Sequence, residues 1–195
     1  MGSECTVTLM TTRSSILSTA EARKPLVAAG AVRAFARAGF HGTTVADVAR
    51  EAKISPAYVF KLFPSKESLF VAGLDECFNQ VVAALEAGAD AATDQSAEAI
   101  LYSMGGAYAD LISDRTLLML QVHAQSVAEL PEIGHALRTG LARVTEFAKT
   151  RSGGSDLEVQ RFIAFGQLCH LIVTAHIDEV PEPWAALLTE GIRHS

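Results

Sequence analysis

Apolar positions recur every three to four residues along most of the chain, and no convincing run alternates every second residue. That spacing predicts an all-α protein of about nine helices. Val27, Ala31, Ala34, Phe35 and Ala38 mark one face of a first helix over 22–38. Pro25 belongs near its first turn, where a missing N–H does little harm, and Gly39 ends it. Two short helices follow, and then longer ones over about 65–87, 95–112, 115–128 and 131–150. Ser152-Gly153-Gly154 breaks the chain. Ser155 and Glu158 form a capping-box pattern that opens an eighth helix to about 177. Pro181 and Pro183 open a short ninth that ends near 193. There is no internal repeat and no low-complexity tract.

The two short helices carry the strongest pattern. Val45, Val48, Ala49 and Ala52 make one face of the first of them apolar, and Thr43 or Thr44 caps its start. Lys53, Ile54 and Ser55 interrupt it. Ser55 is a good N-cap and Pro56 suits the first helical position, so a second short helix runs over about 56–63. Val59, Leu62 and Phe63 are its inner residues; Ala57, Tyr58, Phe60 and Lys61 lie on the other face. Pro64 ends it, and Ser65 caps the next helix. Lys66 stands in that helix's first turn, where a cation opposes the helix dipole unless an anion such as a DNA phosphate is near. Two short helices around a tight turn are the shape of a helix-turn-helix, whose second helix enters the DNA major groove.

Phe35, Gly39, Phe40, Thr43, Thr44, the step Asp47-Val48-Ala49, then Phe60, Phe63, Ser65, Lys66, Glu67 and Leu69 stand in one register. In this pattern residues 26–70 resemble the DNA-binding domain of the TetR family of transcriptional regulators. The resemblance implies a three-helix DNA-binding domain followed by a helical effector-binding and dimerisation domain. It departs from the family at three places. Lys53 replaces the usual turn glycine, so it must take a left-handed conformation or reshape the turn. Phe60 replaces a tyrosine and lacks its hydroxyl. Pro56-Ala57-Tyr58 replaces the usual small-residue step, which leaves Tyr58 to take over the polar contact.

Charge changes the picture. The net charge of −6 looks wrong for a DNA binder, but residues 1–70 carry nine Lys/Arg against five Asp/Glu, while 71–195 carry seven against seventeen. A basic head and an acidic body fit a protein that meets phosphate at one end only; chance clustering is the alternative. With 195 residues and 49% apolar composition the chain can bury a real core. Cys5, Cys77 and Cys169 are odd in number and far apart, which points to a reduced, cytoplasmic protein. The N-terminus has no secretory pattern, and nothing later is expected to reach the length of a membrane span. The expected organisation is a mobile arm over 1–19, a helix-turn-helix domain over 20–64 and a helical effector and dimerisation domain over 65–195. Arg13 in the arm either touches DNA or is solvated.

The eighth helix is apolar on more than one side, so one side faces the body and another a second copy of the chain; a helix central to its own domain is the alternative. TetR-like proteins dimerise through their last two long helices. Phe162, Phe165, Leu168, Ile172, Trp184 and Leu188 are the interface candidates. The resemblance also implies a small-molecule cavity in the body. Its candidates are Phe78, Val82, Tyr102, Met104, Tyr108, Met119, His123, Phe147, Phe165 and His170; residues of these types at helical spacing are core more often than ligand wall. Gly105-Gly106 inside a helix either permits close packing or leaves room for a ligand. The candidates carry no Lys or Arg, which points to an apolar or aromatic effector.

No CxxC, HExxH or clustered His/Cys/Asp set appears, so neither a metal nor a cofactor is expected. Asp178-Glu179 near His176 reads as a solvated helix end. The expected function is a homodimeric, sequence-specific DNA-binding regulator, a repressor released by a small apolar ligand, on a near-palindromic operator. Thr44, Lys61 and Lys66 are expected at phosphates, Ala57 and Tyr58 at base edges, and Phe60 at sugar or a thymine methyl. Arg50 and Lys53 add attraction, and Ser55 caps the reading helix. The alternatives are a ligand-independent regulator and, from another class, a helical-bundle enzyme, for which no nucleophile–base pair is evident.

Overall fold

The computed structural model describes residues 5–192, with side chains from residue 20 onward. Its helices are α1 (Cys5–Gly42), α2 (Val45–Ala52), α3 (Pro56–Leu62), α4 (Lys66–Asp90), α5 (Ala97–Leu111), α6 (Thr116–Ser126), α7 (Pro131–Ser152), α8 (Asp156–Ala175) and α9 (Pro183–Thr189), with a 3-10 turn at Ile177–Glu179. The described residues contain no strand.

Helix boundaries fall close to the pattern except at the ends of the chain. α1 starts at Cys5 rather than near 22, so residues 5–19 of the expected arm continue it and Pro25 sits in its interior. The side chain of Arg13 lies outside the described ones. Gly39 does interrupt α1, with φ 67° and ψ −176°, before a last turn reaches Gly42. α9 stops at Thr189, short of the expected end, and residues 193–195 are outside the described part.

A three-helix head forms because α1, α2 and α3 each offer a small apolar face. Val27, Ala31, Phe35, Val48 and Val59 are all essentially inaccessible. Phe35 meets Phe70 of α4 edge to face at 4.8 Å, and Phe40 meets the same ring at 5.6 Å. On the outside, Arg33 and Arg37 of α1 both bond the Glu51 carboxylate of α2, at 3.0 and 2.6 Å. Arg33 first, then Arg37, lowers the Glu51 pKa.

α4 joins head to body. Leu69 and Phe70 belong to the head's core, and Leu74, Phe78, Val81 and Leu85 continue the same apolar cluster among α5 and α7. Glycines let the helices close. A Cβ on Gly140 of α7 would overlap the Phe78 ring, and one on Gly88 of α4 would lie 2.7 Å from the Ser103 carbonyl of α5. By length and composition α4 is long and apolar enough to cross a membrane, which the pattern reading did not anticipate. Its apolar side is used inside the fold, against α1, α5 and α7.

α8 divides its apolar residues. Ile172 is fully buried with Ile177 and Ala185 of its own subunit, so it is a core residue and not an interface residue. Leu168 and Leu188 are partly buried against that same small cluster. Phe165 and Leu171 are exposed, as are Trp184 and Leu187 of α9.

Candidate functional site

The head presents a helix-turn-helix whose every junction has a local cause. The Thr44 hydroxyl accepts from the Asp47 amide, and the Asp47 carboxylate accepts from the Thr44 amide at 2.9 Å, closing a capping box. Thr43 takes no part in it; it is buried and donates to the Ala34 carbonyl. Bonds from Thr44 above all, with help from Arg50, hold the Asp47 carboxyl at about 2. At the far end Lys53 adopts φ 56°, ψ 43°, the left-handed conformation its position requires. The Lys53 amide bonds the Arg50 carbonyl and the Ile54 amide bonds the Ala49 carbonyl, so a Schellman closure forms without glycine. Ser55 then caps α3 by accepting from the Tyr58 amide at 3.2 Å, with Pro56 at the first position.

α3 is held by Val59, which is fully buried, with Leu62 and Phe63 packed at its edges. Its outward face carries Ala57, Lys61 and Phe60, the last 51% exposed, and Lys53 and Ser55 are exposed in the turn before it. Tyr58 is half-buried and borders a small hollow with Ala22, Arg23 and Ile54. Thr44 and Arg50 are exposed, and Arg50 bonds Asp47 at 2.6 Å. Lys66 Nζ lies 4.6 Å from the Phe40 ring centre, so the ring face offsets part of the dipole cost at the start of α4. The candidate DNA-reading residues therefore lie on α2, α3, the turn between them and the first turn of α4. The sequence reading missed the Arg33–Glu51–Arg37 clamp, which sits outside the short-helix pattern; its only signal was two arginines one helical turn apart.

The body contains a cavity of about 590 Å³ bounded by α4, α5, α6, α7, α8 and the segment after α9. Phe78, Tyr102, Tyr108 and Phe165 of the expected set lie on its wall. Six others do not. Met104 is a fully buried core residue, and Val82, Met119 and Phe147 are partly buried against the core. His123 faces away, toward the head, against Gly39. His170 stands behind the wall, sharing a 2.7 Å hydrogen bond between its Nε2 and the Tyr108 hydroxyl. Phe162, expected at an interface, lines the cavity. Gly105 and Gly106 also line it.

The polar end of the cavity was only partly legible. Gln121 is 4% exposed; its Nε2 donates to the Tyr108 hydroxyl at 3.2 Å and to the Leu117 carbonyl at 3.3 Å. A single carboxamide in the apolar run of α6 was the available signal. Burial lowers the His170 pKa to about 4 and pushes the Tyr108 phenol up, so both groups are neutral near pH 7. His170 Nδ1 is buried with no partner. Charged residues on the wall are Glu98, Glu158, Arg161 and Glu190. Elsewhere His176 and Glu179 pair at 3.1 Å on an exposed helix end. Among the described residues no group of three or more His, Cys, Asp or Glu could hold a metal ion.

Residues 27–72 match the model of the bacterial regulatory proteins of the tetR family. No curated protein matches the chain. Among solved structures, the chain is similar to the transcriptional regulator FadR from Bacillus subtilis in complex with stearoyl-CoA, with TM-score 0.63 and 17% identity over 86% of this chain and 98% of that one. It is similar to a TetR-like transcriptional regulator from Rhodococcus sp. RHA1, with TM-score 0.60 and 20% identity over 85% and 91% of the two chains. It is also similar to the multidrug binding protein EbrR complexed with imidazole, with TM-score 0.61 and 18% identity over 89% and 91%. At these identities the likeness is one of fold.

Proposed function

We infer that this chain, which carries the DNA-binding domain of the bacterial tetR-family regulatory proteins on a body of the same fold, is a sequence-specific DNA-binding transcriptional regulator responsive to a small molecule. The observation that carries the reading is the outward face of α3: Ala57, Phe60 and Lys61 are exposed while Val59 anchors the helix from behind. In this reading Thr44, Lys61 and Lys66 contact phosphates and set the register. Ala57 and Tyr58 meet base edges, and Phe60 packs on sugar or a thymine methyl. Lys53 and Arg50 add attraction, although the bond to Asp47 already engages Arg50.

The protein acts as a cytoplasmic homodimer and not as an enzyme. Phe165, Leu171, Trp184 and Leu187 form an exposed apolar face on α8 and α9, the helices such proteins pair through. A twofold pair of heads reads two half-sites of a near-palindrome. The body cavity favours a ligand-released repressor over a ligand-independent regulator. Release needs a coupling of about 1–3 kcal/mol between cavity and operator sites.

A salt titration of duplex binding tests the reading. Wild-type protein binds duplex DNA more weakly as salt rises, and Lys61→Ala flattens the logarithmic slope by about one unit. No binding at low ionic strength, or a slope indifferent to Lys61, contradicts it.

A further inference from the structure

The cavity is bordered by helix-interior glycines that close packing does not explain. Gly140 and Gly88 are glycines because a Cβ there would collide with Phe78 or with the Ser103 carbonyl. Gly105 of α5 and Gly166 of α8 differ. A Cβ on Gly105 would lie 3.9 Å from its nearest neighbour, the Phe162 ring, and one on Gly166 would lie 3.9 Å from the Tyr108 ring. These are ordinary contacts, which an alanine would satisfy while stabilising the helix. Both glycines line the cavity, as do both rings. Each aromatic thus lies opposite the other helix's glycine. Beside the two rings the wall between α5 and α8 is bare helix backbone at Gly105 and Gly166, with Leu101, Tyr102 and Phe165 completing it.

The cavity's polar end has an unusual property. The Tyr108 oxygen accepts from Gln121 Nε2 and shares its second hydrogen bond with His170 Nε2. If His170 carries its proton on Nδ1, the tyrosine O–H donates to Nε2 and one oxygen lone pair stays free to accept. If the proton is on Nε2, that N–H donates to tyrosine, both lone pairs are used, and the tyrosine O–H is free to donate. His170 Nδ1 has no partner, so no neighbour selects one tautomer over the other. Tyr108 can therefore offer a ligand either an acceptor or a donor without a net charge. Of the four charged wall residues, Glu98, Arg161 and Glu190 are exposed and Glu158 is half-buried with its carboxylate bonded to Ser155, so no buried full charge stands beside Tyr108 to pair with an ionic ligand.

Resting on the reading of the cavity as the effector site, we propose that its ligand is a neutral, flat, fused-ring molecule bearing one hydroxyl or carbonyl, inserted between α5 and α8 over Gly105 and Gly166 with that oxygen at Tyr108. A ligand that places a full charge beside Tyr108 is disfavoured by the same features.

Calorimetric titration of the full chain with 2-hydroxyfluorene, 9-fluorenone and fluorene tests this, with hexadecanoyl-CoA and tetraphenylphosphonium as the anionic and cationic arms. Hydroxyl and carbonyl probes both bind, and fluorene binds about tenfold more weakly because it lacks the oxygen. Tyr108→Phe brings the first two down to the fluorene level. Gly166→Leu abolishes binding of all three while circular dichroism stays helical; Gly105→Leu does the same should the first variant fail to fold. Equal binding of fluorene and its oxygenated forms overturns the proposal. So does binding of the thioester or the cation in preference to them, or no binding in any arm. Duplex binding is measured on the same samples. Its absence beside intact fluorenone binding sinks the regulator reading alone, and the reverse sinks the ligand class alone.

Discussion

His123 of α6 rests against Gly39 of α1: a Cβ on the glycine would lie 3.0 Å from the imidazole Nδ1. Gly39 is where α1 breaks, and His123 is two residues beyond Gln121, which faces the cavity. One short helix thus touches both the body cavity and the three-helix head. The His123 Nε2 is buried there without a partner.

Gly39→Ala should lower stability by about 1–3 kcal/mol, because φ 67° with ψ −176° is a backbone region almost closed to other residues. In a His123→Ala background the loss shrinks but persists, since ring contact and backbone strain are separate costs. Urea denaturation of the four proteins in a double-mutant cycle measures the two parts. Full stability in Gly39→Ala would mean that α1 has no such break.

Lys61 and Lys66 should separate on stability. Lys61 is exposed on α3, so Lys61→Ala leaves the melting temperature where it is. Lys66 sits over Phe40, so Lys66→Ala costs about 0.5–1 kcal/mol besides weakening duplex binding. Equal melting temperatures for the two variants would remove the ring contact as a cause.

Acid should loosen the head through Asp47. Its carboxyl is held at about 2, below the usual 3.8, so it contributes stability above the unfolded value that is lost as pH falls toward the folded one. Asp47→Asn is expected to be less stable at neutral pH and to show a smaller stability change between about pH 4 and pH 2. Thermal melts across that window compare the two proteins; parallel curves would deny the carboxylate its capping role.

The glycines of the body should sort into two kinds. Gly140→Ala forces Phe78 from its place and costs about 1–3 kcal/mol. Gly105→Ala meets only an ordinary contact and gains up to about 1 kcal/mol in the unliganded protein. Chemical denaturation of both variants reads the sign directly.

Neighbouring residues of α8 should also behave oppositely. Leu171→Glu combined with Leu187→Glu, both exposed in one subunit, should halve the mass seen by light scattering and leave the helical spectrum intact. Ile172→Glu should unfold the protein, because it places an unpaired charge beside Ile177 and Ala185. A monomeric wild type would remove the basis for an α8–α9 interface.

The head was read from sequence almost residue by residue. Caps, breakers and apolar spacing act within one or two helical turns, and Thr44, Ser55, Pro56 and Ser65 do their work there. Even the left-handed Lys53 was one of two stated outcomes. The other helices were legible for the same reason, apart from the start of α1 in the head and the end of α9 in the body, where the signals are weak.

Which apolar residues meet which was not legible, because contacts such as Gly39 with His123, Gly140 with Phe78 and Tyr108 with His170 join residues tens of positions apart. Helical periodicity says that Ile172 and Leu171 are apolar and leaves open which side of α8 its own subunit covers. The same holds for Phe162, read as an interface residue and found on a cavity wall, and for His123, read as a cavity residue and found at the head. Local hydrogen bonding and spacing were enough to specify the helices and the reading head; the cavity, its buried polar end and the head–body contact arise only when α4 to α8 pack, since packing alone decides which side chains share a space.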